Sequence, residues 1–193
     1  MSELSEEYFE ESEFNDVLYA KEELGQKSFY DCTFKNCDFS NCLLYDTLFL
    51  NCEFIQCNLS LVSISGTKFQ NAKFIESKLI GIDFTNVNRL ILKIEFVNSI
   101  ISDCNFSMLE LKGTNFIDCK VLNSDFYKAD LTNASFENAE LSGSLFEQTK
   151  LNNADFTNAF GYRINPQINE IKSAKFTLPE AVALIEELGV IIE

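Results

Sequence analysis

Phe29-Tyr30-Asp31-Cys32-Thr33-Phe34-Lys35-Asn36-Cys37-Asp38-Phe39 carries the decisive pattern of this chain: a bulky apolar residue at every fifth position, with a small residue two places before it. The beat continues through Leu44, Phe49, Phe54, Leu59, Ile64, Phe69, Phe74, Leu79 and Phe84. After a break it resumes at Ile91 and Phe96 and runs to Leu151 and Phe156. Such a period matches neither the helical repeat of about 3.6 nor the strand repeat of about 2. It marks a solenoid of short repeats, in which each unit buries its apolar face only against its neighbours.

The composition agrees with one elongated domain: 193 residues, 19 Phe, no Trp and two Pro. No apolar run reaches the roughly 18 residues of a membrane helix, and Met1 to Glu7 lack the basic start and apolar stretch of an export signal. The expectation is a cytoplasmic protein with no membrane contact. An enzyme is not expected, because there is no histidine, no phosphate-cradling glycine loop and no nucleophile-elbow motif. Direct nucleic-acid binding is disfavoured by a net charge of −15 and by the lack of a basic, aromatic-interleaved patch.

Seven cysteines raise the question of a metal. All of them, Cys32, Cys37, Cys42, Cys52, Cys57, Cys104 and Cys119, occupy the slot two before a centre, where other repeats place Ala72, Ser77, Ala134 or Ala154. They read as small interior residues, and their spacing is a poor match to zinc motifs. No metal or cofactor is expected. Cys32 over Cys52 and Cys37 over Cys57 should stack one coil apart, at roughly 4.8 Å, and a reducing compartment would keep them as thiols.

Cys32-Thr33-Phe34-Lys35-Asn36, Ala129-Asp130-Leu131-Thr132-Asn133 and Ala154-Asp155-Phe156-Thr157-Asn158 resemble the pentapeptide-repeat proteins, and the resemblance covers residues 9 to 160. It implies an all-β fold, a right-handed quadrilateral parallel β-helix of about seven coils. Each coil would take four pentapeptides, with the centre and the small residue inside. Sorted by this geometry, one column of centres is entirely Phe: 14, 34, 54, 74, 96, 116, 136 and 156. The column stays intact only if the break adds two residues to one face, so a small bulge is placed at 85–90. There Arg89 takes a normally small slot, Ile82 and Ile94 are oversized, and two columns exchange Phe for aliphatic residues. Asn recurs two places after the centre, where corners turn and a short polar side chain tolerates the backbone and forms ladders.

Residues 1–23 hold nine acids and one Lys and are expected to form an acidic cap or irregular first coil, with Glu7 and Glu22 in interior slots. The β-helix proper is placed at 24–160 and a C-terminal cap at 161–193. In that cap Thr177-Leu178-Pro179-Glu180 predicts a capped helix start, Gly189 its end, and Val190-Ile191-Ile192 a strand. Its apolar surplus favours a homodimer through Phe176, Leu178, Ile185, Leu188, Val190 and Ile192. The segments Gly161-Tyr162-Arg163-Ile164-Asn165-Pro166 and 175–180 are similar to tails of the quinolone-resistance branch, of Qnr and MfpA type, in which two towers join through their C-termini.

Function must then lie on the surface. The face of the all-Phe column is acidic, with Glu53, Glu76, Glu95, Asp118, Glu137 and Asp155 as candidate partner-binding residues. An outward apolar column, Ile55, Ile75, Val97 and Ile117, lies on the same face, the form of a protein-contact surface. The resemblance implies a non-enzymatic DNA mimic that binds a type II topoisomerase, DNA gyrase or topoisomerase IV, and relieves fluoroquinolone poisoning. The alternative is a protein–protein interaction scaffold with another partner.

Overall fold

A computed structural model describes residues 7–191. Strands of mostly three residues pair in parallel with the strand one coil away, Phe14 with Phe34, Phe34 with Phe54 and Phe54 with Phe74. The result is a four-sided β-solenoid of about eight turns, one more than the repeat count suggested, with one short helix. Each strand shows the pattern outward, buried, outward, because successive side chains of extended backbone point to opposite faces. A centre is therefore flanked by two outward-pointing residues, although Ser107 beside Phe106 and Asp130 beside Leu131 are themselves buried.

Corners require left-handed backbone, and the sequence supplies residues that tolerate it. Asn36, Asn41, Asn51, Asn138 and Asn158 have φ of 52°, 56°, 54°, 57° and 57°, a region open mainly to Gly, Asn and Asp. Their side chains join the coils: Asn51 Nδ2 donates to Asp31 Oδ1 at 3.0 Å, and Asn71 Nδ2 to Asn51 Oδ1 at 3.0 Å.

The core is built by ring stacking. Along the all-Phe column consecutive centroids are 4.8 to 5.3 Å apart and the planes within 19°, the offset-stacked geometry that aromatic quadrupoles favour. Below the break these rings meet Phe29, Phe49 and Phe69 edge-on; above it they meet Phe84, Phe106, Phe126 and Phe146. The exchange of Phe between columns thus moves the second aromatic stack from one wall to another.

The cysteines are all free and buried. Their slot has a chemical reason beyond size. Cys37 Sγ donates to the Phe14 carbonyl and Cys57 Sγ to that of Phe34, both at 3.3 Å. Thr47, Ser77 and Ser144 do the same with hydroxyls at 3.1, 2.9 and 2.8 Å. A small residue with a polar hydrogen satisfies a buried carbonyl of the coil below, and Ala fills the slot where only size matters.

The break departs from the sequence reading in its inner residue. Ile91 is 67 % exposed with φ of 62°, and Arg89 is exposed rather than interior. Leu92 packs on the core in place of Ile91. The cause is a register shift, since Gln70 pairs with Lys93 but Ala72 with Ile94. Three residues are gained at the corner and one is lost along the strand. Val87, Ile94 and Leu109, all buried in nominally small slots, fill the volume left where the Phe column ends at Phe69.

The ladder begins at Tyr8, paired with Ser28, and ends at Phe176, paired with Phe156, beyond the limits 24 and 160 at either end. Glu7 and Glu22 are exposed rather than interior. The helix spans only Val182–Glu186, with no side-chain cap. Thr177 is not its cap: its hydroxyl accepts from Asn158 N–H at 2.9 Å and closes a corner of the tower. Gly189 ends the turn as expected, at φ of 78°. Val190 and Ile191 form no strand, and Ile192 lies outside the described residues.

Candidate protein-contact surface

The face over the all-Phe column is assembled by register. Lys35, Ile55, Ile75, Val97 and Ile117 follow one another in one outward row. The four apolar members are half-buried, bounded by Lys35 below and Glu137 above. In the row on the other side of the rings, Glu13, Thr33, Glu53, Lys73 and Glu95 alternate. Lys73 thus stands between Glu53 and Glu95, and the face is less uniformly acidic than its acid count implied.

The six candidate acids fall into two groups. Glu76 and Asp118 are corner residues with φ of 51° and 54°; Glu76 accepts from Gln56 Nε2 at 2.8 Å, and Asp118 from Asn138 Nδ2 at 2.9 Å. Asp155 accepts from its neighbour Thr157 and pairs with Lys175 Nζ at 2.8 Å. Those contacts hold its carboxyl below the usual range, and Lys175 is raised in turn by Asp155. Lys175 belongs to this face, one coil above Asp155. Glu53, Glu95 and Glu137 make no side-chain hydrogen bond or ion pair among the described residues; the backbone N–H of Glu137 donates to Ser135 Oγ at 3.4 Å.

The candidate dimerisation residues lie at the C-terminal end. Phe176 is the last ring of the stacked column, 4.9 Å from Phe156, and is partly buried. Leu178, Ile185, Leu188 and Val190 are exposed. They surround a cover that places only Leu184 of the helix against the core.

Among the described residues no group of three or more Cys, Asp or Glu is placed to hold a metal, and no helix is long and apolar enough to cross a membrane. Two open surface hollows lie on the tower, one of 510 Å³ beside the break and one of 600 Å³ beside the helix.

A family model of a pentapeptide repeat region matches residues 27–116, and a model of eight pentapeptide repeats matches residues 110–148 and 139–159. The chain belongs to the pentapeptide-repeat family. Among solved pentapeptide-repeat structures, full-length QnrB1, a plasmid-mediated fluoroquinolone resistance protein, superposes with a TM-score of 0.50 at 17 % identity, covering 95 % of this chain and 100 % of that one. A trypsin-treated QnrB1 gives 0.49 at 23 %, over 96 % and 90 %. HetL from the cyanobacterium Nostoc sp. strain PCC 7120, involved in heterocyst differentiation regulation, gives 0.42 at 16 %, over 86 % and 84 %. No curated protein sequence matches the chain. At such identities the likeness establishes the pentapeptide-repeat fold alone.

Proposed function

We propose that this protein is a non-enzymatic DNA mimic of the cytoplasm that binds a type II topoisomerase, DNA gyrase or topoisomerase IV, and protects it from fluoroquinolones. The observation that carries the reading is the pairing of unbonded carboxylates, Glu53, Glu95 and Glu137, with the adjoining apolar row from Ile55 to Ile117 on one flat face. Carboxylates offer the charge that a DNA-binding groove attracts, and the apolar row adds contact area that DNA lacks. Nine courses of the column, from Phe14 to Phe176, rise roughly 38 Å at β-ladder spacing, comparable to a duplex turn of about 34 Å. A homodimer through Leu178, Ile185, Leu188 and Val190 would double that length.

The test is DNA supercoiling by purified gyrase with increasing protein, with and without a fluoroquinolone. Restored supercoiling in the presence of drug supports the proposal. Inhibition without rescue leaves a plain DNA competitor, and no effect on either gyrase or topoisomerase IV rejects the target.

A scaffold role with another protein is the second reading. It is favoured by Glu76, Asp118 and Asp155, whose bonds within the tower give them a structural use. In that case polar substitution of Ile55 and Ile75 should weaken partner binding more than charge reversal of Glu53 and Glu95.

A further inference from the structure

The break in the tower carries a second surface of the opposite polarity. Leu90, Ile91 and Met108 are 73 %, 67 % and 54 % exposed, and together they form an apolar knob across two turns of a kind that, Leu61 apart, the described residues otherwise give to polar residues or Gly. Ile91 and Met108 both hold left-handed backbone, at φ of 62° and 57°. For a β-branched residue that conformation is a genuine outlier, imposed here by the turn that the coil needs, and it holds the side chain outward. Beside the knob is the 510 Å³ hollow lined by Arg89, Ile91, Leu92, Met108, Glu110 and Lys112. The Arg89 guanidinium reaches the Met108 and Thr85 carbonyls only at 3.4 and 3.5 Å, so it is positioned over the hollow with donors to spare.

The charge around the knob is inverted relative to the chain. Lys68, Arg89 and Lys93 make no ion pair among the described residues, whereas Lys112 is paired with Glu110 at 3.9 Å. One coil higher, Asp130 is shared between Lys112 at 3.4 Å and Lys150 at 3.6 Å. A local cationic collar around exposed aliphatic side chains, on a protein of net charge −15, selects its occupant by complementarity.

We infer that the break is a docking site for an acidic, apolar peptide segment of a second protein. Its Leu-, Ile- or Phe-type side chain enters the hollow beside Ile91 and Met108, and its carboxylates meet Arg89 and Lys93. The acidic wall of the tower repels such a segment, so favourable contact is confined to the cationic side chains around the knob, within about a Debye length. The rod then joins two partners of opposite charge: a cationic groove on the acidic face and an acidic segment on the break.

A random-peptide phage library panned on the full chain tests this. Selected sequences should combine Leu, Ile or Phe with flanking Asp or Glu, and a synthetic peptide of that consensus should lose at least tenfold in affinity on Ile91→Asp or Arg89→Glu, and again on raising salt. Asp suits left-handed backbone better than Ile does, so loss of binding in Ile91→Asp does not reflect unfolding, which circular dichroism would check. A basic consensus, no enrichment, or equal binding to Ile91→Asp overturns the inference.

Discussion

Phe176 stacks on Phe156 with 4.9 Å between centroids and 6° between planes, so a residue outside the uninterrupted five-residue beat forms the last course of the aromatic column. Position in that column should set the cost of losing a ring. Phe116 has rings above and below, at 4.8 and 5.0 Å, and is fully buried. Phe116→Ala should cost about 3–5 kcal/mol. Phe176→Ala, with one stacking neighbour and partial exposure, should cost about half as much by the same scale. Urea unfolding of both variants measures the difference, and equal losses would mean that the courses do not contribute by neighbour contacts.

At Ile91 the tower gives up stability locally. A β-branched residue in left-handed backbone costs about 1–2 kcal/mol, and Asn is the commonest residue at the other corners. Ile91→Asn should therefore raise the midpoint of thermal unfolding by several degrees, corresponding to about 1 kcal/mol. A fall in the midpoint would show that Ile91 packs more firmly than its exposure indicates.

Burial pushes the thiols of Cys42, Cys52, Cys104 and Cys119 up to about 12 from an ordinary value of 9.0. In the Cys37–Cys57 pair the close approach of the two thiols lowers Cys37, to about 7, and raises Cys57. For the four raised thiols the unfolded chain ionises first. Their stabilisation is complete below pH 9 and is lost as pH climbs towards 12, by about 1 kcal/mol per pH unit for each thiol. Urea midpoints should fall from pH 9 to 11. The fall should be shallower in Cys104→Ala/Cys119→Ala, because Ala already fills this slot at Ala72, Ala134 and Ala139; identical slopes would remove the thiols from the account.

The columns were legible from the sequence because Phe is unambiguous inside a beat of five: every ring from Phe14 to Phe156 is where that spacing puts it. The inner residue at the break was not. Ile91 and Leu92 are equally apolar, and only the register shift between Gln70 and Ala72 decides that Leu92 faces inward. Phe176 was hidden because the beat lapses after Phe160; Phe146 pairs with Ile164, 18 residues on, before the 20-residue step returns at Lys150 and Glu170 and continues at Asp155 and Lys175. The acidic candidates were legible as charges but not as bonded or unbonded groups. Whether a corner acid accepts from the amide one coil away depends on which residues share its row, as Gln56 and Asn138 do with Glu76 and Asp118.

That division among the acids predicts an unequal response to substitution. Glu53→Lys/Glu95→Lys should reduce topoisomerase binding by at least tenfold at low salt and leave the unfolding midpoint nearly unchanged, since these carboxylates hold nothing within the tower. Glu76→Ala should instead cost about 1 kcal/mol of stability through the lost ladder bond, with a smaller effect on binding. Surface plasmon resonance against gyrase, paired with urea unfolding, separates the two; the reverse pattern would contradict the assignment of the unbonded acids to a partner.

The two ends of the described tower differ in what they expose, the C-terminal one leaving aliphatic side chains beside Glu180, Glu186 and Glu187. The first described course carries Glu10, Glu11, Glu13 and Asp16, charges that oppose edge-to-edge stacking. At the far end Leu178 at 80 %, Ile185 at 42 %, Leu188 at 46 % and Val190 at 48 % remain exposed. Association should therefore use the C-terminal end alone and close as a two-fold dimer instead of propagating as a filament. Ile185→Asp/Leu188→Asp should sediment as a monomer with an almost unchanged unfolding midpoint at high protein concentration, because neither side chain is needed to cover the core. A dimer that survives both substitutions would place its interface on one of the walls, and deletion of 177–193 would then leave the dimer intact while opening the corner that Thr177 closes over Asn158.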